Sequence, residues 1–190
     1  MASRGLPDLT KGKIDKLIFL ADKMHLVRYG RTITGDWYAA LQHGPVPSKT
    51  DNLLDALEAE VHGYDEVDTL SEFVDLDRGF QYPRIFSRVS AASFMAEQLS
   101  ESDLEILERI TEAFGSRTFP ELRAITHEMP AWERAWEGRA GGAKSAHMAF
   151  EDFFQEDEDA IPGAELEAIE NSALYASFEE AALSSRLYPL

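Results

Sequence analysis

The chain contains no cysteine. That excludes a disulfide scaffold, a thiol nucleophile and any thiolate metal centre. No stretch approaches the roughly 20 apolar residues of a membrane span, and the first eight residues lack the apolar segment of a secretion signal. A soluble, unexported protein working in the cytoplasm is the expectation. Basic residues are also scarce: 18 Lys and Arg stand against 35 Asp and Glu, giving a net charge of −17. Phosphate-backbone binding needs clustered cations that release counterions, so a basic protein is the better partner and nucleic acid the worse one.

What is present is ordinary in amount and uneven in placement. With 190 residues, 44% hydrophobic and 28% charged, the chain is long enough for one domain with a substantial core. Residues 1–50 carry eight Lys and Arg against four Asp, whereas residues 151–190 carry eleven acidic side chains against Arg186. A mildly basic start thus leads to a strongly acidic end.

Ile14, Leu17, Ile18, Ala21, Met24 and His25 recur at helical spacing and predict an amphipathic helix over 10–27, capped by Thr10 and ended by Gly30. A short helical turn over 36–42 then leads into a His-Gly-Pro-Val-Pro loop, after which Ser48 caps a helix running through Leu53, Leu54, Leu57 and Val61. Weak alternation over 72–77, a turn at Arg78-Gly79 and the run 81–88 predict a hairpin, with Pro83 holding the second strand to an edge. Ser100 and Asp103 form a capping box ahead of a helix burying Leu104, Leu107, Ile110, Ala113 and Phe114. Pro120 opens a short helix ending near 126–128, and Pro130 opens another through Trp136. Residues 147–154 read as a short helix, 155–159 as an acidic link, and 164–186 as a helix with a narrow apolar stripe. The fold class is mainly α with a small β-hairpin: one compact helical domain over 10–155, then an acidic link and C-terminal helix over 156–190 available for partner binding.

The residues that carry chemistry concentrate in 22–48. Asp22, His25, Asp36 and His43, with His127 and Glu128, are the right types for a metal or acid/base site. Their spacing argues otherwise, because a metalloprotease helix needs two His one turn apart with Glu between, and Glu128 is followed by Met129-Pro130. Structural roles suit them better: Asp22 and His25, one turn apart, can bond each other or cap the next loop, His43 can satisfy groups left open by two prolines, and His127 suits a helix C-terminus. No catalytic set, metal or cofactor is called for. Trp132 and Trp136, one turn apart, read as core aromatics. Three helices and a hairpin match the order of a winged helix, but the helix after Ser48 presents Asp51, Asp55, Glu58 and Glu60 against Lys49, a surface that repels DNA.

The same segments resemble the Panacea domain, the SocA-like antitoxin family. The resemblance rests on KLIFLAD at 16–22, on His25, on Arg28, Tyr29, Gly30 and Arg31, on Ile33, Thr34, Gly35, Asp36 and Tyr38, and most distinctively on His43-Gly44-Pro45-Val46-Pro47-Ser48. A second segment, Thr126, His127, Glu128, Pro130, Ala131 and Trp132, is similar to the family's later signature, so the likeness spans about 11–136. Thr32 stands where many relatives have Pro, and the acidic tail lies beyond the likeness. The resemblance implies a mostly helical bacterial, archaeal or phage protein that neutralises a toxin encoded beside it by direct binding, with some members delivering it to an ATP-dependent protease. Tyr29, Asp36, His43, Gly44, Pro45 and Pro47 are then expected to shape the functional surface, with Asp22, His25, His127, Glu128 and Trp132 supporting it.

Overall fold

Nineteen residues, Lys11–Tyr29, form helix α1, around which the rest of the chain is arranged in this computed structural model, which describes residues 5–89 and 99–154. Thr10 caps α1 by accepting from Lys13 N, and Gly30, at φ +74°, closes it by donating its amide to Leu26. Only glycine takes that left-handed conformation without strain. The helix is not amphipathic as its periodicity predicts: Leu17, Phe19, Leu20, Ala21, Leu26 and Val27 are buried together with Lys13, Asp15, Lys16, Asp22 and His25. Helices α2 (Ser48–Glu58), α4 (Glu101–Phe114) and α5 (Phe119–His127) pack against it, as do strand β2 (Gly44–Pro47) and the 3₁₀ turn Phe150–Phe154. Burial of each large apolar side chain contributes about 1.5–3 kcal/mol, while every buried polar group must find a partner or destabilise the fold.

Residues 36–42 are not helical. Strand β1 (Tyr38–Leu41) pairs antiparallel with β2 through Leu41↔Gly44 and Tyr38↔Pro47, so the expected loop is the second arm of a hairpin turning at Gln42 and His43. Pro45 and Pro47 lack amide donors, and β2 tolerates them because it is the edge of a three-stranded sheet ordered β2, β1, β5 (Ser145–His147). Strand β5 (Ser145–His147) occupies the other side of β1, where the sequence predicts the start of a helix. That reading is corrected to a short strand followed by the 3₁₀ turn.

Helix α2 stops at Glu58, short of Val61, and Ser48 is its first residue, not its cap. Helix α3 (Asp65–Phe73), which the sequence reading missed, precedes the hairpin of β3 (Val74–Asp77) and β4 (Arg84–Ser87). That second hairpin is tied back to the start of α1 by Ile85 N donating to Leu9 O. The Ser100–Asp103 capping box opens α4, but Leu104 and Ala113 are exposed, and the buried line runs through Asp103, Ile106 and Ile110. Pro120 and Pro130 lie in the first turns of α5 and α6 (Pro130–Gly138), where a missing amide costs nothing. Among the described residues the chain is mainly α with small antiparallel sheets. Residues 155–190, including the acidic link and the helix expected over 164–186, lie outside the described residues.

Candidate functional site

Asp22 is fully buried on α1 and accepts four hydrogen bonds. Its Oδ1 takes Ile33 N at 2.8 Å and Thr34 N at 3.1 Å, and its Oδ2 takes Tyr38 OH at 2.7 Å and the Thr34 hydroxyl. Burial pushes the carboxyl above the usual carboxylate range, and the bonds from Thr34, Tyr38 and Ile33 pull it back. The Tyr38 phenol is raised by its own burial and by the Asp22 charge. Of the two roles open to Asp22, bonding His25 or capping the next loop, the second is the one realised: it fastens residues 33–38 to the helix.

His25, also fully buried, donates from Nδ1 to the Arg31 carbonyl at 2.8 Å. Its Nε2 lies 3.1 Å from Ser102 Oγ and 3.0 Å from Asp103 Oδ1. Arg31 reaches the same Asp103 oxygen at 2.7 Å. Burial would raise the Asp103 carboxyl, but bonds from Arg31 and Ser100 hold it below the usual range. Tyr29, 38% exposed, lies tilted against His25 with ring centroids 4.7 Å apart.

Asp36 acts as a cap supplied from outside the helix it caps. Its Oδ1 accepts from Lys49 N at 2.9 Å and Trp37 N at 2.8 Å, and its Oδ2 from Thr50 N at 2.8 Å. The carboxylate therefore sits on the N-terminal amides of α2, where the helix dipole also favours it.

At the other half of α1, Lys16 is buried and donates Nζ to the Pro45 carbonyl at 2.8 Å. Burial pushes this ammonium down to about 8 and neighbouring Asp15 up to about 7, each opposed by the other's charge. Gly44, at φ +106°, lies against Lys16: a Cβ there would stand 2.8 Å from Lys16 Cε, 3.1 Å from Thr126 Oγ1 and 3.5 Å from His127 Cδ2. The His127 ring stacks on Trp132 at 3.8 Å, and Trp132 donates Nε1 to the Leu41 carbonyl at 3.1 Å, which anchors α6 to β1. Trp132 also stacks on Trp136 at 5.8 Å, and the Arg139 guanidinium covers Trp136 at 3.6 Å.

Asp36, Gly44, Pro45 and Pro47 are buried, whereas Tyr29, His43 and Glu128 reach solvent. The structure joins His43, Gly44, Pro45, His127 and Trp132 at one end and Asp22, His25 and Tyr29 at the other. Lys16 and Tyr29 are separated by about 20 Å of helix at 1.5 Å per residue. Among the described residues no group of three or more His, Asp or Glu is arranged to hold a metal ion. Also among those residues, no helix is long and apolar enough to cross a membrane.

Sequence reasoning picked out Lys16, Thr34, Tyr38, Asp103 and Thr126 but gave them no place in the site's interior, and it missed a set of exposed aromatics. A lysine heading an apolar helical stretch was the available signal for Lys16. The aromatics are Tyr82 (68% exposed), Phe86 (48%), Phe80 and Phe73, on or next to the β3–β4 hairpin, and Tyr64 (65%), just before α3. Arg84 lies on the Phe80 ring at 3.6 Å.

Comparison with known proteins adds one finding. A family model described as Antitoxin SocA-like, Panacea domain, matches residues 14–133. No curated protein and no solved structure matches the chain.

Proposed function

The chain belongs to the SocA-like antitoxin family of the Panacea domain, and on that premise we propose that it is a type II antitoxin that neutralises a cognate toxin by direct protein–protein binding in the cytoplasm. The family match over residues 14–133 carries the proposal. How the charged residues are used supports it. Asp22 and Asp36 accept four and three hydrogen bonds from groups that hold the backbone in place, so neither carboxylate is free to act as a base. A frame that commits its polar interior to positioning loops suits recognition better than turnover.

In this reading Tyr29 and His43 meet the partner, while Asp36, Gly44, Pro45 and Pro47 set the shape of the surface from beneath. Asp22 and His25 brace the 30–38 segment, and His127, Glu128 and Trp132 flank His43. The exposed aromatics of the β3–β4 hairpin add a second contact area, because apolar side chains that stay exposed as a group mark association surfaces. The acidic residues of 156–190 steer the chain toward a basic toxin.

The test is co-expression with the protein encoded beside this chain, read by affinity purification and by growth. A stable complex with restored growth is the expected result. Restored growth without a complex, together with a fall in toxin level that requires an ATP-dependent protease, replaces direct binding by delivery. No effect on growth refutes the antitoxin reading.

A further inference from the structure

Arg123 and His127 lie one turn apart on α5, so their side chains share a face. Each carries a buried nitrogen without a hydrogen-bond partner, Arg123 Nε and His127 Nε2. A buried polar atom left unmatched is costly, and native folds seldom keep one without a reason. The imidazole ring lies flat against Trp132, with centroids 3.8 Å apart, which limits how far it can turn toward another partner.

The surroundings are cationic, which is unusual in a chain of net charge −17. Lys16 from α1, Arg123 from α5 and His43 from the β1–β2 turn all act on His127, and together with burial they push its protonation down. Asp15 and Asp51 act on Lys16, and Glu128, next to His127, is exposed. Lys16 Cε and His127 Cδ2 converge on one point above Gly44, where the missing side chain lets them approach. Like charges gathered in a half-buried place repel, and an anion among them lessens the repulsion.

We propose that Arg123, His127 and His43, with Lys16 behind them, form a binding site for one oxyanion, a carboxylate or a phosphate. The guanidinium offers a planar fork matched to such a group. As the anion arrives, His127 takes one proton from solvent at Nε2 and donates it in a hydrogen bond to the bound oxygen. Binding therefore strengthens as pH falls, and the anion moves the His127 titration to higher pH.

The test uses the full chain, the His127 ring resonances in NMR, and titration with inorganic phosphate or with acetate against chloride at constant ionic strength. A saturable shift with either anion, a His127 midpoint moved to higher pH, and about tenfold weaker binding in Arg123→Gln are expected. Tighter binding of phosphate identifies a phosphate ligand, and tighter binding of acetate a carboxylate such as a partner's acidic side chain. Arg123→Lys, which keeps the charge and loses the fork, is expected to bind with intermediate affinity. Responses no different from chloride, or equal binding by folded Arg123→Gln, overturn the proposal. Should Arg123→Gln unfold, the wild-type response against chloride decides alone.

Discussion

Gly44 lies against Lys16, Thr126 and His127 at a positive φ. At that φ a Cβ would stand 2.8 Å from Lys16 Cε, so Gly44→Ala is expected to destabilise the chain by about 2–4 kcal/mol in chemical denaturation. Asp15 shows the opposite case, a residue whose removal should help. It is buried with Oδ1 unbonded, and burial raises its carboxyl from 3.8 to about 7. A group raised in the folded state contributes stability below its unfolded value and loses it as pH rises through the folded one. Asp15→Asn is therefore expected to raise the melting temperature at pH 8 and to lose that advantage near pH 4. A gain independent of pH would assign the effect to packing.

Helix α2 has no cap of its own, because Pro47 precedes it and the Asp36 carboxylate performs that role from across the β1–β2 hairpin. Asp36→Ala should cost about 1–2 kcal/mol, with amide exchange rising first at Lys49 and Thr50. The β3–β4 hairpin follows another logic. Ile85 faces inward at 5% exposure while Phe86 faces outward at 48%, so one strand both completes the core and displays an aromatic. Phe86→Ser with Tyr82→Ser should change stability by only about 0.5 kcal/mol each. On the proposed function the same pair weakens toxin binding about tenfold or more, measured by calorimetry. Unchanged affinity would remove this hairpin from the toxin contact.

Charge is a property of the whole molecule. Residues 156–190 hold nine acidic side chains against Arg186, and deleting them should slow association with the toxin at low salt and flatten its salt dependence. Association kinetics at two ionic strengths check this, and an unchanged salt slope would leave the tail without a role in steering. The described part of the chain is organised by α1, three of whose buried polar side chains hold neighbouring segments. Asp22 holds 33–38, His25 ties Arg31 to α4, and Lys16 holds β2.

The sequence by itself determined the helical class, the ends of α1, the capping box of α4, the proline-opened helices and the signature residues, because caps, turns and proline positions act within a few residues of chain. Only the tertiary structure decided that α1 is covered on most sides, since periodicity describes one face and cannot count the neighbours that close over the others. Residues 36–47 became a hairpin for the same reason. Tyr38–Leu41 is too short for its pattern to separate strand from helical turn, and pairing with Gly44–Pro47 and with distant Ser145–His147 chose the strand. Asp36, Gly44, Pro45 and Pro47 are legible in the sequence as constrained residues, but their burial, and the gathering of the site residues at two places along α1, come from how α1 is packed.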